Sequence, residues 1–214
     1  MSSFFSLDNP VMRLLTKLFD VMFLSILWFV FSIPVISIGA STTAMYYTAV
    51  KVIRRDRGYI FQEFWKSFKL NFVQATIAWL AIGTASALFY YNVKFAFTLE
   101  GKMGTLMTIV YVSMGVAVLG CGAYIFPVLS RFTMKFGHLV KTSILLFFKH
   151  FPKSIVLALI VAVAAFLLYL SQMTVFFVPA SAALLFSLVM EPILKLYTPK
   201  ADNEEEKKDE WYLE

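Results

Sequence analysis

The chain has little of almost everything that carries chemistry. Of its 214 residues one is cysteine, two are histidine, and 15% are charged. A lone Cys121 can form no intrachain disulfide and cannot chelate a metal through paired thiols. His138 and His150 lack the i, i+4 spacing of a helical metal pair, and no carboxylate cluster accompanies them. No G-x-x-x-x-G-K-[ST] loop, G-x-S-x-G elbow or H-E-x-x-H pair occurs. A proton-coupled carrier calls for paired acids at mid-depth. Here Asp20, Lys94, Glu100 and Glu191 instead fall near the ends of apolar runs and read as interfacial side chains. These absences leave no catalytic residue, no cofactor site and no metal site to name, and the expectation is a protein that is not an enzyme.

What is present is apolar surface. The composition is 60% hydrophobic and 17% aromatic, whereas a soluble domain of this length is nearer half apolar and a quarter charged. The excess must face lipid, and four uncharged windows show where. They run Val21 to Ile38, Leu70 to Val93, Met103 to Ser130 and Ser154 to Met190. A span needs about 20 apolar residues. As one helix the last window would reach roughly 55 Å, too long for one crossing, so it reads as two helices turning near Ser171 and Gln172. The expected fold is therefore all-α, a polytopic membrane bundle of about five transmembrane helices.

Charge supports the count. Five spans leave Arg13, Lys17, Lys94 and Lys102 on one side and the other fifteen of the 19 basic residues opposite. By the positive-inside rule this predicts the N-terminus outside and the C-terminus in the cytoplasm. The same asymmetry accounts for the net charge of +6 through topology and anionic membrane lipids, with no need of nucleic acid.

Along the chain, Asp8 or Asn9 can cap a first helix that starts at Pro10. Pro34 should end or kink that helix, and Gly39 to Thr43 read as a corner where the chain leaves the membrane. Then come two amphipathic, aromatic and basic segments, both expected on the cytoplasmic face. In the first, after a turn at Gly58, Ile60, Phe61, Phe64, Trp65, Phe68 and Phe72 recur at helical spacing opposite a polar face. The second covers Phe136 to Phe151. A shift of 79 residues aligns Ala44, Gly58, Phe68 and Phe72 with Ala123, Gly137, Phe147 and Phe151, a weak repeat over 44–72 and 123–151. Small residues spaced for close helix contact occur at Ala81 and Ala85, Gly83 and Ala87, Gly115 to Gly122, and Ala158 and Ala162. Residues 1–198 read as one membrane-embedded domain, and the charged stretch 199–214 as a disordered cytoplasmic tail.

Residues 9–72 carry a longer pattern: Asn9-Pro10, an aromatic-rich span ending at Pro34, G-A-S-T-T-A from Gly39 to Ala44, G-Y-I-F from Gly58 to Phe61, and F-W-K-S-F-K-x-N-F from Phe64 to Phe72. This resembles the N-terminal half of the YesL-like family of small bacterial integral membrane proteins, a domain of unknown function. The resemblance implies a multi-pass protein of the bacterial cell membrane whose genes lie beside those of carbohydrate ABC importers. It brings no catalytic residue with it.

The expected function is thus a non-enzymatic accessory subunit or assembly partner of an oligosaccharide importer, touching its permease subunits. The residues expected to meet a partner or lipid headgroups are Arg54, Arg55, Arg57, Phe61, Trp65, Phe68 and Lys69. The alternative is a standalone transporter or channel, with Trp79, Tyr90, Tyr91, Asn92 and Tyr111 as sugar-stacking candidates.

Overall fold

The computed structural model describes residues 10–132 and 134–198. The tail 199–214 and the capping residues Asp8 and Asn9 lie outside them. Among the described residues all regular structure is helical: α1 (Pro10–Ser32), α2 (Ile38–Thr48), α3 (Ile60–Thr98), α4 (Lys102–Arg131), α5 (Phe136–Lys149), α6 (Phe151–Leu170) and α7 (Val178–Tyr197). A 3-10 turn (Val35–Ser37) precedes α2, a π-helical segment (Ala49–Arg54) extends it, and a second 3-10 turn (Gln172–Phe176) joins α6 to α7. Five helices, α1, α3, α4, α6 and α7, are long and apolar enough to cross a membrane. The last uncharged window does divide in two, with α6 ending at Leu170.

Pro34 stops α1 as its missing donor requires, but the corner expected after it is instead a helix in the core. Gly39, Ala40, Ser41, Thr43, Ala44, Met45, Tyr46 and Thr48 of α2 are all buried. Only a stripe of small residues lets α2 lie this close to α3. A Cβ on Gly39 would run into the Ala75 carbonyl oxygen and come within 2.8 Å of Trp79 Cβ. Two of the three hydroxyls that read as boundary signals, those of Thr42 and Thr43, are bonded within the bundle, whereas that of Ser41 is buried with no hydrogen-bond partner among the described residues. Thr43 and Thr48 donate to the carbonyls of Gly39 and Ala44 four residues back (3.0 and 2.8 Å), and the Trp28 indole donates to Thr42 (3.2 Å).

Helices α1 and α2 form a hairpin. Trp28 meets Thr42 near the bend, while Arg13 and Lys17 reach Asp56 (3.6 and 3.5 Å) at the open end. Arg13 and Lys17, expected on the opposite side from Arg54, Arg55 and Arg57, thus lie at the same end of the helices as Asp56 and its neighbours. The physical reason is that the uncharged stretch runs on to Val50 and folds back at Pro34.

Helix α3 runs antiparallel to α2, with Gly39 against Ala75 and Lys51 bridged to Glu63 (2.8 Å). It is one continuous helix of 39 residues, so the first amphipathic segment is the opening of a span. Part of its aromatic face is core, for Phe64 and Phe68 pack on Phe31 with centroids 5.5 and 5.1 Å apart, whereas Phe61 and Trp65 stay exposed. Helix α4 returns along α3, and α5 folds back on α4 where Phe147 fills the notch at Gly120. Gly137 lies inside α5, whereas Gly58 sits in a turn with φ of 85°. Of the small-residue pairs, the α4 glycines do meet neighbours, but Gly83 faces open space and Ala158 and Ala162 are exposed. Helix α7 packs antiparallel on α1, where the Ala180 amide in its first turn donates to buried Ser25 (3.2 Å).

Candidate functional site

At the open end of the α1–α2 hairpin four elements converge on one carboxylate. Glu191 sits in α7, 5% exposed. Tyr46 of α2 donates its phenol O–H to Oε1 at 2.9 Å. Arg131, the buried last residue of α4, places Nη1 3.1 Å from Oε2, and Arg55 places Nη2 3.9 Å from the same oxygen. Burying a carboxylate is costly unless it is paired and hydrogen-bonded; Glu191 is both.

The π-helical segment brings the arginines here. A wide turn replaces the ordinary α-helical turn and closes with the Arg57 amide donating to the Lys51 carbonyl (3.2 Å). The chain then reverses through Asp56 and Gly58, both in the left-handed region with φ of 53° and 85°. Asp tolerates that region better than most side-chain-bearing residues, and glycine enters it freely. Arg54 is pinned to α7, with Nη1 donating to the Ser187 carbonyl (3.1 Å) and to its Oγ (3.0 Å).

The result is an open cleft of about 570 Å³ lined by Arg54, Arg55, Arg57, Glu191, Pro192 and Lys195. Its lining holds four cations to one carboxylate. Burial lowers the Arg55 pKa from its usual value; Glu191 opposes the shift, and the crowding of Arg131, Arg54 and Arg57 adds to it. Arginine stays charged regardless.

Residues 21–93 match the family model described as "Protein of unknown function, DUF624". The matched stretch takes in most of α1, all of α2, the π-helical segment and α3 as far as Val93. It therefore includes Tyr46, Arg54, Arg55 and Arg57 but not Arg131, Glu191 or Lys195. No curated protein and no solved structure matches the chain.

The residues singled out in the sequence divide into three groups. Arg54, Arg55 and Arg57 come together in the cleft. Phe61, Trp65 and Lys69 line a separate open groove on α3 with Gln62, Lys66 and Leu70, Trp65 stacking on Phe68 under the Lys69 ammonium. Phe68 was expected at the surface; it is 8% exposed and belongs to the core, because its ring points at Phe31. Among the sugar-stacking candidates Tyr90 and Tyr91 face outward on α3, while Trp79 packs at Gly39. Sequence reasoning passed over Glu191 as interfacial and did not single out Arg131. The available signal was an ionised residue closing a 37-residue uncharged run, followed four residues on by Lys195.

Proposed function

We propose that this multi-pass protein is a non-enzymatic accessory subunit that braces the permease of a carbohydrate ABC importer. The observation that carries this reading is the groove on the first turns of α3. Phe61 and Trp65 are half or more than a third exposed there, beside Lys66 and Lys69. Beneath them Phe64, Phe68 and Phe31 form a rigid aromatic shelf. Exposed aromatics held in place and interleaved with cations are the composition of binding hot spots. The importer as partner is supported by the gene neighbourhood that the YesL-like resemblance implies.

In this reading the end bearing Arg13, Lys17, Arg54, Arg55, Arg57 and Lys195 faces the cytoplasm. Support comes from the clustering of basic residues there, as the positive-inside rule favours. The start of α1 and the end of α7 then share the cytoplasmic side.

Affinity purification in mild detergent from cells grown on a complex glycan is the test. Stoichiometric importer permease is expected with the natural chain. Recovery should fall about thirtyfold or more with Phe61→Ala plus Trp65→Ala, as loss of a hot spot worth ~2 kcal/mol or more implies. Recovery of the chain alone, together with sugar uptake by liposomes containing only this protein, would replace the accessory reading with a carrier.

A further inference from the structure

Charge is divided unevenly along this chain. Residues 199–214 hold seven of the 13 acidic residues, among them Glu204, Glu205, Glu206, Asp209 and Glu210, against three lysines. The other sixteen basic residues all precede this segment. Its large apolar side chains are gathered in one place, Trp211, Tyr212 and Leu213, directly after Asp209 and Glu210. An acidic run that closes on two aromatics has both parts of a docking peptide, charge to steer it and rings to anchor it.

The surface that complements it is the groove at the start of α3. This groove is open, about 660 Å³, and Phe61, Gln62, Trp65, Lys66, Lys69 and Leu70 line it, with two aromatics, two cations and no carboxylate among them. The carboxylate nearest in sequence, Glu63, is turned away to Lys51 (2.8 Å). The ammonium of Lys69 lies over the Trp65 ring, 5.2 Å from its centroid, a contact that holds a cation in place without neutralising it. The acidic segment also starts close by. Helix α7 ends at Tyr197, and Lys195 in its last turn shares a cleft with Arg54, Arg55 and Arg57, which lead into α3. Residues 199–210 reach about 40 Å when extended, several interhelical spacings of roughly 10 Å. Tethered this way, the segment sees the groove at an effective concentration on the order of millimolar, so even a weak contact closes.

We propose that residues 204–214 of this same chain dock in the α3 groove, with Trp211 and Tyr212 against Phe61 and Trp65 and the acidic run along Lys66 and Lys69. The docking itself needs no other protein. Its consequence rests on the reading of the groove as the permease contact: the chain's own tail covers that surface until a permease displaces it.

Disulfide trapping in the purified full chain tests the docking with no importer present, so its failure and that of the accessory reading are told apart. With Cys121→Ala as background, Gln62→Cys in the groove is paired with Leu213→Cys in the tail. The control pairs Leu213→Cys with Leu14→Cys, an exposed position at the same end of the helices. Under copper-phenanthroline oxidation at low salt, the Gln62 pair is expected to close within one chain about tenfold or more faster than the control. Trp211→Ala should bring it down to the control rate. Lys66→Gln with Lys69→Gln should slow it about fivefold, as the loss of two exposed ion pairs allows, and high salt should act in the same direction. In the affinity purification Trp211→Ala should raise the recovery of permease, and unchanged recovery would overturn the competition alone. Equal rates for the two pairs, or a fast rate that survives Trp211→Ala, would overturn the docking. A disulfide formed only between molecules would overturn it as a contact within one chain.

Discussion

Glu191 holds α2, α4, α7 and the segment after the π-helical turn to one point, so its removal tests the site and the bundle together. Glu191→Gln keeps the shape and strips the charge, leaving the guanidinium of Arg131 buried without its carboxylate. Breaking a buried pair from one side costs about 3–5 kcal/mol. The expected result is a clear fall in the temperature at which the detergent-solubilised protein loses its monodisperse gel-filtration peak. Replacing both partners, as Glu191→Leu with Arg131→Met, should restore much of it, because neither charge is then stranded. An unchanged profile for Glu191→Gln would show that the cluster does not hold the helices. Little of this was legible beforehand. The arginines at 54, 55 and 57 announce themselves as a run, but their carboxylate lies more than 130 residues away, and no local pattern links such positions.

At the scale of the element, α2 departs furthest from what the sequence suggests. The five long apolar helices and the turn at Ser171 follow from hydropathy and length, which act locally. Helix α2 has only 11 residues, among them four Ser or Thr and two Tyr, so neither its length nor its pattern marks it as a buried helix. Its helical state is fixed by what lies across from it: the Ala75 backbone, Trp79 and Trp28. Gly39→Ala should therefore destabilise by at least the 1–3 kcal/mol typical of overpacking, since a backbone carbonyl cannot step aside. Gly83→Ala, at a glycine with open space around it, should be neutral or stabilising. Thermal gel-filtration profiles of the two variants compare them directly, and equal behaviour would mean that α2 and α3 are not in close contact. The aromatic stripe from Ile60 to Phe72 shows the converse limit. Its periodicity was plain, but periodicity names a buried face without saying whether lipid or protein buries it.

For the whole molecule the hairpin of α1 and α2 brings the start of α1 and the start of α3 to one end, the end proposed above to face the cytoplasm. With Cys121→Ala as background, Val11→Cys and Tyr59→Cys should be shielded alike from a membrane-impermeant maleimide added to intact cells, and Glu100→Cys should be labelled. Opposite behaviour of the first two would break the hairpin. Residues 38–54 of the returning limb cover about 25 Å as a helix, near the thickness of a bilayer core. Yet this limb is too rich in hydroxyls to be released into lipid as an independent span. Paired with α1 alone it leaves Gly39 and its neighbours uncovered, because the Ala75 backbone and the Trp79 side chain that close over them belong to α3. A chain truncated after its first sixty residues should therefore be shorter-lived in the membrane than the whole, since the surface that its third helix covers would lie open.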